Sequence, residues 1–181
     1  AGWKALWGAP SERRRNRFHG SPKPGGVALL YRDHMRAQWV KMSTPEAQDF
    51  YDQGRLMHSA LVVEGELLHV IGAYGFTNAW TDKQQRLRNE ALMKVATELV
   101  ASLGNSPVLL AGDLNTMPER SPTLESVLAM GALVDLAQLH ADAHGEQPQA
   151  TCFVRDDSQG SRIDHLLANR VSALGFCDFR I

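Results

Sequence analysis

Apolar positions along this chain fall into two rhythms, and the rhythms predict its elements. Short apolar runs bounded by glycine, proline or charged clusters read as strands. Residues 26–32, Gly-Val-Ala-Leu-Leu-Tyr-Arg, predict one buried strand, and residues 39–41 a second, short one. Residues 56–63 and 67–74 flank Glu64-Gly65-Glu66, which predicts a hairpin. Residues 107–111, 151–154, 162–168 and 174–180 predict later strands. Between the second and third runs, residues 43–53 carry few apolar side chains and read as loop or a short helix.

The second rhythm is helical. Over residues 81–103, Leu87, Ala91, Val95 and Leu99 recur every four positions with Leu92 beside them, which predicts one apolar face packed on a sheet. Thr81 and Gln84 have the spacing of a capping box, and Gly104 suits the far end. Ser121-Pro122 opens a shorter helix that Gly131 closes. Residues 11–25 and 143–149 read as loops. Strands outnumber helices and no regular βαβ alternation appears. The predicted class is α+β, with two packed, mostly antiparallel sheets and helices outside. The whole chain of 181 residues is expected to be one domain, with residues 1–24 a loop-rich N-terminal segment.

Charge and composition narrow the chemistry. The formal net charge is −1, so no global basic field draws nucleic acid, and any such attraction must be local. Arg13, Arg14, Arg15 and Arg17 offer either a phosphate-binding patch or a solvated loop. Cys152 and Cys177 are expected to be buried thiols rather than a disulfide framework. No apolar run approaches the ~20 residues of a membrane span, and no signal-peptide pattern opens the chain. These point to an intracellular protein with no membrane partner. The first residue is Ala1 rather than methionine, and the last residues fall within a predicted strand. The expectation is therefore a piece of a longer protein.

The candidate chemistry sits where apolar runs meet polar groups. In Gly112-Asp113-Leu114-Asn115, residues two apart on an extended chain face the same side, so Asp113 and Asn115 are expected to share a cleft while Leu114 enters the core. A carboxylate there can accept a proton from water, and an amide can hold that water or a phosphate oxygen without adding charge. The alternative is a turn that merely ends a strand. Ser161-Arg162-Ile163-Asp164-His165 places ionisable groups against an apolar run. Asp164, if buried, needs a partner; it could orient a histidine, or pair structurally with Arg162. Tyr74 closes its strand ahead of Gly75-Phe76-Thr77-Asn78, where a phenol can donate to a phosphate or simply pack. The remaining histidines, His19, His34, His58, His69, His140 and His144, show no metal-ligand spacing.

The order of these motifs resembles the endonuclease/exonuclease/phosphatase superfamily. A glycine pair opens the strand at Gly25-Gly26. A later strand ends at Tyr74, and the Asp113-x-Asn115 and Arg162-Ile163-Asp164 motifs follow. The resemblance runs from about Gly25 onward and includes the endonuclease domains of non-long-terminal-repeat retrotransposons. It implies a four-layered α/β sandwich, incomplete at both ends here, a divalent metal (magnesium or manganese), and hydrolysis of a phosphoester substrate. Nucleic acid is the implied partner. By resemblance, Asp113 would orient or deprotonate the attacking water. Asn115 would bind the scissile phosphate, Tyr74 would touch it, and Asp164 would position a catalytic histidine beyond this chain. His165 stands where the family often has an aromatic residue and receives no catalytic role.

The departures carry equal weight. The family supplies an asparagine and a metal-binding glutamate from strands ahead of the glycine-opened one, and residues 1–20 are expected to contain no such strand. Glu12 lies in the arginine-rich loop. No terminal Ser-Asp-His follows, and Gly75-Phe76 replaces the proline that the family usually has after its tyrosine. The metal ligands are thus unassigned. The expected function is metal-dependent phosphodiester hydrolysis by a DNA-acting nuclease, with at most trace turnover in this chain alone. The alternatives are a degenerate domain that binds phosphate or a partner without turnover, and a small-molecule or inositol-phosphate phosphatase.

Overall fold

The computed structural model describes residues 2–9, 26–153 and 160–175. In chain order these form β1 (Trp3–Trp7), β2 (Ala28–Arg32), β3 (Arg36–Trp39), α1 (Pro45–Asp52), β4 (Leu56–Val63) and β5 (Glu66–Ala73). There follow α2 (Lys83–Ser102), β6 (Val108–Asp113), a single 3-10 turn (Pro118–Arg120), α3 (Pro122–Ala129), β7 (Leu133–Asp135), α4 (Leu136–His144), β8 (Asp164–Asn169) and α5 (Arg170–Leu174). Six strands make one mixed sheet in the order β3-β4-β5-β6-β8-β7, and β1 pairs with β2 in a second, two-stranded sheet. Among the described residues only β5 and β6 run parallel; the other pairings are antiparallel. This is the predicted α+β class. The parallel step requires a crossover, and α2 supplies it.

The hairpin is where the apolar runs placed it, with Leu56 opposite Ala73 and Val63 opposite Glu66. Residues 43–53 form the helical option, α1, capped by Thr44 with Pro45 in its first turn. Ser121 caps α3 and Gly131 follows it with a left-handed backbone, both as predicted.

Helix α2 needs two corrections. Its cap is Asp82 rather than Thr81: the carboxylate accepts from the backbone N–H of Gln84 and Gln85 at 2.7 and 3.1 Å. Its buried face is also rotated. Of the predicted row, Val95 and Leu99 are buried, as is Leu92 beside it, but Leu87 is 64% exposed and Ala91 faces solvent; Asn89, Met93, Ala96 and Val100 complete the buried face. A row spaced strictly by four drifts around a helix of 3.6 residues per turn, so its early members leave the sheet. The true face alternates steps of three and four. Its apolar members join Ile71, Val108, Leu110 and Leu167 in one core. Each large side chain there contributes on the order of 1.5–3 kcal/mol.

Other corrections follow the same logic. The segment 1–24 is not wholly loop, because β1 lies at Trp3–Trp7; its tryptophans are 60% and 63% exposed, so no clean alternation marked it as a strand. The short strand placed at 39–41 is β3, an edge strand with exposed Arg36 and Gln38. Helix α4 was not expected at all. Residues 151–153 give a bridge between Cys152 and Ser161 rather than a strand, Val154 lies outside the described residues, and Cys152 is a free thiol, half-buried. Leu174 ends a helix capped by Asn169 instead of opening a strand. Residues 176–181, Cys177 among them, lie outside the described residues, as do Glu12 and Arg13 to Arg17.

Candidate active site

The carboxyl end of β6 lies beside the amino end of β8, and this brings the two predicted acids together. Asp113 and Asp164 are direct partners in the antiparallel register. Side chains of directly opposed residues stand on the same face of a sheet. Two glycines permit the close approach of this corner to the end of β5. Gly112 has φ +142°, and a Cβ there would lie 2.0 Å from the Ala73 carbonyl oxygen. A Cβ on Gly75 would meet the Leu114 carbonyl oxygen at 2.1 Å. Buried Asn89 of α2 ties the same corner, accepting from Phe76 N–H at 2.9 Å and donating to Leu114 C=O at 3.0 Å.

Asn115 joins this corner through the strand-ending turn, the alternative to an extended spacing. Strand β6 ends at Asp113, and Asn115 has a left-handed backbone at φ +48°. The extended two-residue spacing is replaced by a turn. Asp113 Oδ1 accepts the Asn115 backbone N–H at 3.0 Å, and the Asn115 amide donates to the Gly75 carbonyl at 3.2 Å. The strand-ending turn and the chemical pair are therefore the same structure. Leu114 is fully buried, as expected. Burial raises the Asp113 pKa above the ordinary carboxylate value, and the nearby Asp164 charge adds to it, against the lowering hydrogen bonds from Asn115.

Asp164 departs from its expected surroundings. It is exposed, its backbone N–H donates to Thr151 Oγ1 at 3.1 Å, and among the described residues no histidine or Arg162 pairs with its carboxylate. The buried acid of this region is Asp135, which sequence reasoning missed. Arg162 donates to it through both terminal nitrogens, Nη1 at 3.0 Å and Nη2 at 2.5 Å. His165 Nδ1 lies 3.5 Å from the same carboxylate, at the limit of a hydrogen bond, and His165 Nε2 lies 3.2 Å from the Thr116 carbonyl. Burial works to raise the Asp135 pKa, but the adjacent His165 ring and the hydrogen bonds and charge of Arg162 outweigh it. They hold this carboxyl well below the usual carboxylate range. Its signal in the sequence was an aspartate just ahead of a helical stretch, the position of a cap; it accepts from Ala137 and Gln138 N–H.

Tyr74 follows β5 at the same end of the sheet, where Gly75 N–H donates to the Asp113 carbonyl at 2.7 Å. Its ring carries the Arg55 guanidinium at 4.7 Å. Asn78 lies further along the loop, with a left-handed backbone at φ +64° and its carbonyl accepting from Thr81 and Asp82.

Next to Asn115 opens a cavity of about 330 Å³ between the loop ahead of α2 and the loop after β6. Sequence reasoning did not find it, because its walls come from three separate segments.

Among the described residues, no group of three or more His, Cys, Asp and Glu side chains could hold a metal ion. The donor set is smaller: Asp164, exposed, directly opposite Asp113. Magnesium commonly keeps several waters and takes only one or two carboxylates, so this pair fits a largely hydrated magnesium but not an all-protein cage. The observation that favours a cation there is the placement of two carboxylates directly opposite each other across β6 and β8, a pair of like charges that a positive charge would relieve. β1 contains no carboxylate or amide side chain and adds no ligand.

The comparisons agree with this architecture. A family model for the endonuclease/exonuclease/phosphatase family matches residues 2–177, so the likeness begins well before Gly25 and includes β1. No curated protein matches the chain. Among solved structures, a 3′-5′ exonuclease from Neisseria meningitidis is 21% identical, with TM-score 0.63; the match covers 98% of this chain and 71% of that one. An AP endonuclease from Archaeoglobus fulgidus is 17% identical, with TM-score 0.59 and coverages of 96% and 69%. The endonuclease domain of TRAS1, a telomere-specific non-LTR retrotransposon, is 12% identical, with TM-score 0.56 and coverages of 94% and 66%. At such identities these structures establish the fold, and the family model establishes the membership. The chain belongs to the endonuclease/exonuclease/phosphatase family, whose members are hydrolytic nucleases and phosphatases.

Proposed function

We propose that the chain carries the phosphodiester-hydrolysing corner of a magnesium-dependent nuclease acting on DNA. The observation that carries this reading is the Asp113–Asp164 pair at the end of two central strands, with Asn115 folded back beside it. Asp113, when ionised, takes the proton of an attacking water and orients it toward phosphorus. Asn115 lines the cavity beside it and offers an uncharged amide to a phosphate oxygen. Tyr74 stands at the adjoining strand end to touch the phosphate. Asp164 is where a hydrated magnesium would be held, beside Asp113, with manganese as the substitute. Bound there, the ion supplies Lewis-acid polarisation of the phosphate and stabilises the departing oxygen. DNA as substrate draws support from a Neisseria NExo structure described as a 3′ phosphatase bound to product DNA hairpin, 20% identical to this chain.

The test is cleavage of an end-labelled DNA duplex by excess protein, with and without magnesium. Turnover is expected to be weak, because among the described residues no third acid or imidazole joins the pair. Magnesium-dependent cleavage that disappears in Asp113→Ala supports the reading. Cleavage that survives Asp113→Ala overturns the role given to Asp113. Release of phosphate from an inositol phosphate without cleavage of DNA favours the phosphatase alternative.

A further inference from the structure

We propose that the cavity beside Asn115 is a subsite for one nucleotide unit flanking the scissile phosphodiester, with Arg120 as its phosphate-binding residue and Trp80 as the support of Arg120. The inference rests on the nuclease reading above and names where the substrate extends. The cavity starts at Asn115 and Ile163, near neighbours of Asp113 and Asp164, so a chain entering it is continuous with the proposed point of cleavage. Its volume of about 330 Å³ lies at the small end of ligand pockets.

Its chemistry is that of a phosphate with an organic group attached. The Arg120 guanidinium carbon lies 4.7 Å over the Trp80 ring. Among the described residues the Arg120 side chain donates no hydrogen bond, so its N–H donors are left for bidentate contact with phosphate oxygens. Among the described residues no carboxylate pairs with Arg120. Glu90, the one carboxylate among the described residues of the wall, is engaged elsewhere: it accepts from Ser121 Oγ, Thr123 N–H and Thr123 Oγ1. The backbone at Trp80 is tied to α2, because Arg86, also in the cavity wall, donates through Nε to the Ala79 carbonyl at 3.2 Å and through Nη2 to the Trp80 carbonyl at 3.0 Å. Met117 and Ile163 complete an apolar wall for a sugar or base. With a net charge of −1, the chain must attract a polyanion locally, and Arg120 is a cation placed to do so.

The experiment is fluorescence anisotropy of the 181-residue chain with a fluorescein-labelled short oligothymidylate, in EDTA, over a range of potassium chloride. Arg120→Ala is expected to weaken binding about tenfold and to reduce the salt slope by about one. Arg120→Lys should keep the slope but recover only part of the affinity, because an ammonium cannot stack on Trp80. Trp80→Ala should weaken binding by a similar factor. Arg170→Ala, an exposed cation at the opposite end of β8, should change the affinity less than about twofold, as a distant lost charge would. Circular dichroism and thermal midpoints confirm that each variant folds. Wild-type affinity and slope in Arg120→Ala overturn the subsite, even if magnesium-dependent DNA cleavage holds. The expected losses in a chain that cleaves no DNA support the subsite and sink the nuclease reading instead. An oligonucleotide that fails to bind, with inositol polyphosphate binding in its place, overturns the subsite.

Discussion

Asp113 and Asp135 do the same thing locally and end in opposite electrostatic states. Each closes a strand of the six-stranded sheet, and each carboxylate accepts a backbone N–H from two residues on. Their neighbours differ. Asp113 faces another acid, Asp164; burial raises its pKa, and the hydrogen bonds from Asn115 and the weaker influence of His165 do not offset it. Asp135 faces the Arg162 guanidinium and His165, and its pKa is lowered. One corner is left with unbalanced negative charge that a cation or a proton can satisfy. The other is closed and neutralised. An unbalanced site costs stability and can do chemistry, whereas a balanced site holds a loop in place.

The largest effect that can break this comparison is catalytic. Asp113→Asn should reduce magnesium-dependent cleavage about 10²–10⁴-fold, the usual contribution of a general base. The protein should remain fully folded. A variant that cuts at the wild-type rate would place Asp113 with Asp135 as scaffold.

The next effect is on folding, and it reverses the roles. Asp135→Ala strips the partly buried Arg162 of its partner, leaves the buried His165 beside a lost charge and removes the cap of α4, which should cost about 3 kcal/mol in urea denaturation. Asp113→Asn in EDTA should leave neutral-pH stability unchanged or higher, since its raised pKa means that the ionised form is disfavoured in the fold. The pH dependences also oppose each other. Asp135 stabilises above the unfolded carboxylate pKa, and that stabilisation is lost as pH falls through its depressed folded value. The penalty of ionised Asp113 is relieved as pH falls through its raised value. Equal costs for the two variants would end the distinction.

A third group must be separated before that acid limb is read. His58 is buried and its Nε2 lies 3.1 Å from His69 Nδ1. Burial, then the charge of His69, lowers its pKa from 6.5 to about 4. The fold therefore binds neutral His58, and stability should fall as pH drops from 6.5 toward 4, by on the order of 2 kcal/mol after solvent screening. His58→Gln should flatten stability in that window and leave the lower, Asp135-dependent loss intact. An unchanged slope would assign the loss to other groups.

The sequence carried the sheet and the order of the acids, because buried strands announce themselves as apolar runs and the turn residues sit beside them. It misjudged what depends on tertiary placement. Leu87 and Ala91 have the right spacing but drift off the buried face of α2. β1 exposes its tryptophans and so shows no alternation. Arg162 and Asp164 are two residues apart, yet Arg162 turns to Asp135, twenty-seven positions earlier, while Asp164 stays in solvent. Trp80, Arg86 and Arg120 carry no motif in the sequence, and only folding brings them around one cavity. Pairing across long separations has no local signature in one sequence.

The smallest effect is also the most direct measure of the unbalanced corner. Asp113 and Asp164 are like charges placed directly opposite each other across β6 and β8, an arrangement that destabilises by about 0.2–1 kcal/mol. Asp164→Asn should therefore raise stability by that amount at neutral pH, in EDTA and low salt. The gain should shrink in high salt, because Asp164 is exposed and its field is screened. It should also shrink in acid, as Asp113 takes up its proton. Millimolar magnesium should reverse the ranking: the wild type gains thermal midpoint from an ion held by the pair, and Asp164→Asn gains less. The corresponding change at the balanced corner, Asp135→Asn, should be destabilising in every one of these conditions. If Asp164→Asn instead loses stability in EDTA, the two carboxylates do not repel, and the corner is not the charged site that the comparison with Asp135 makes it.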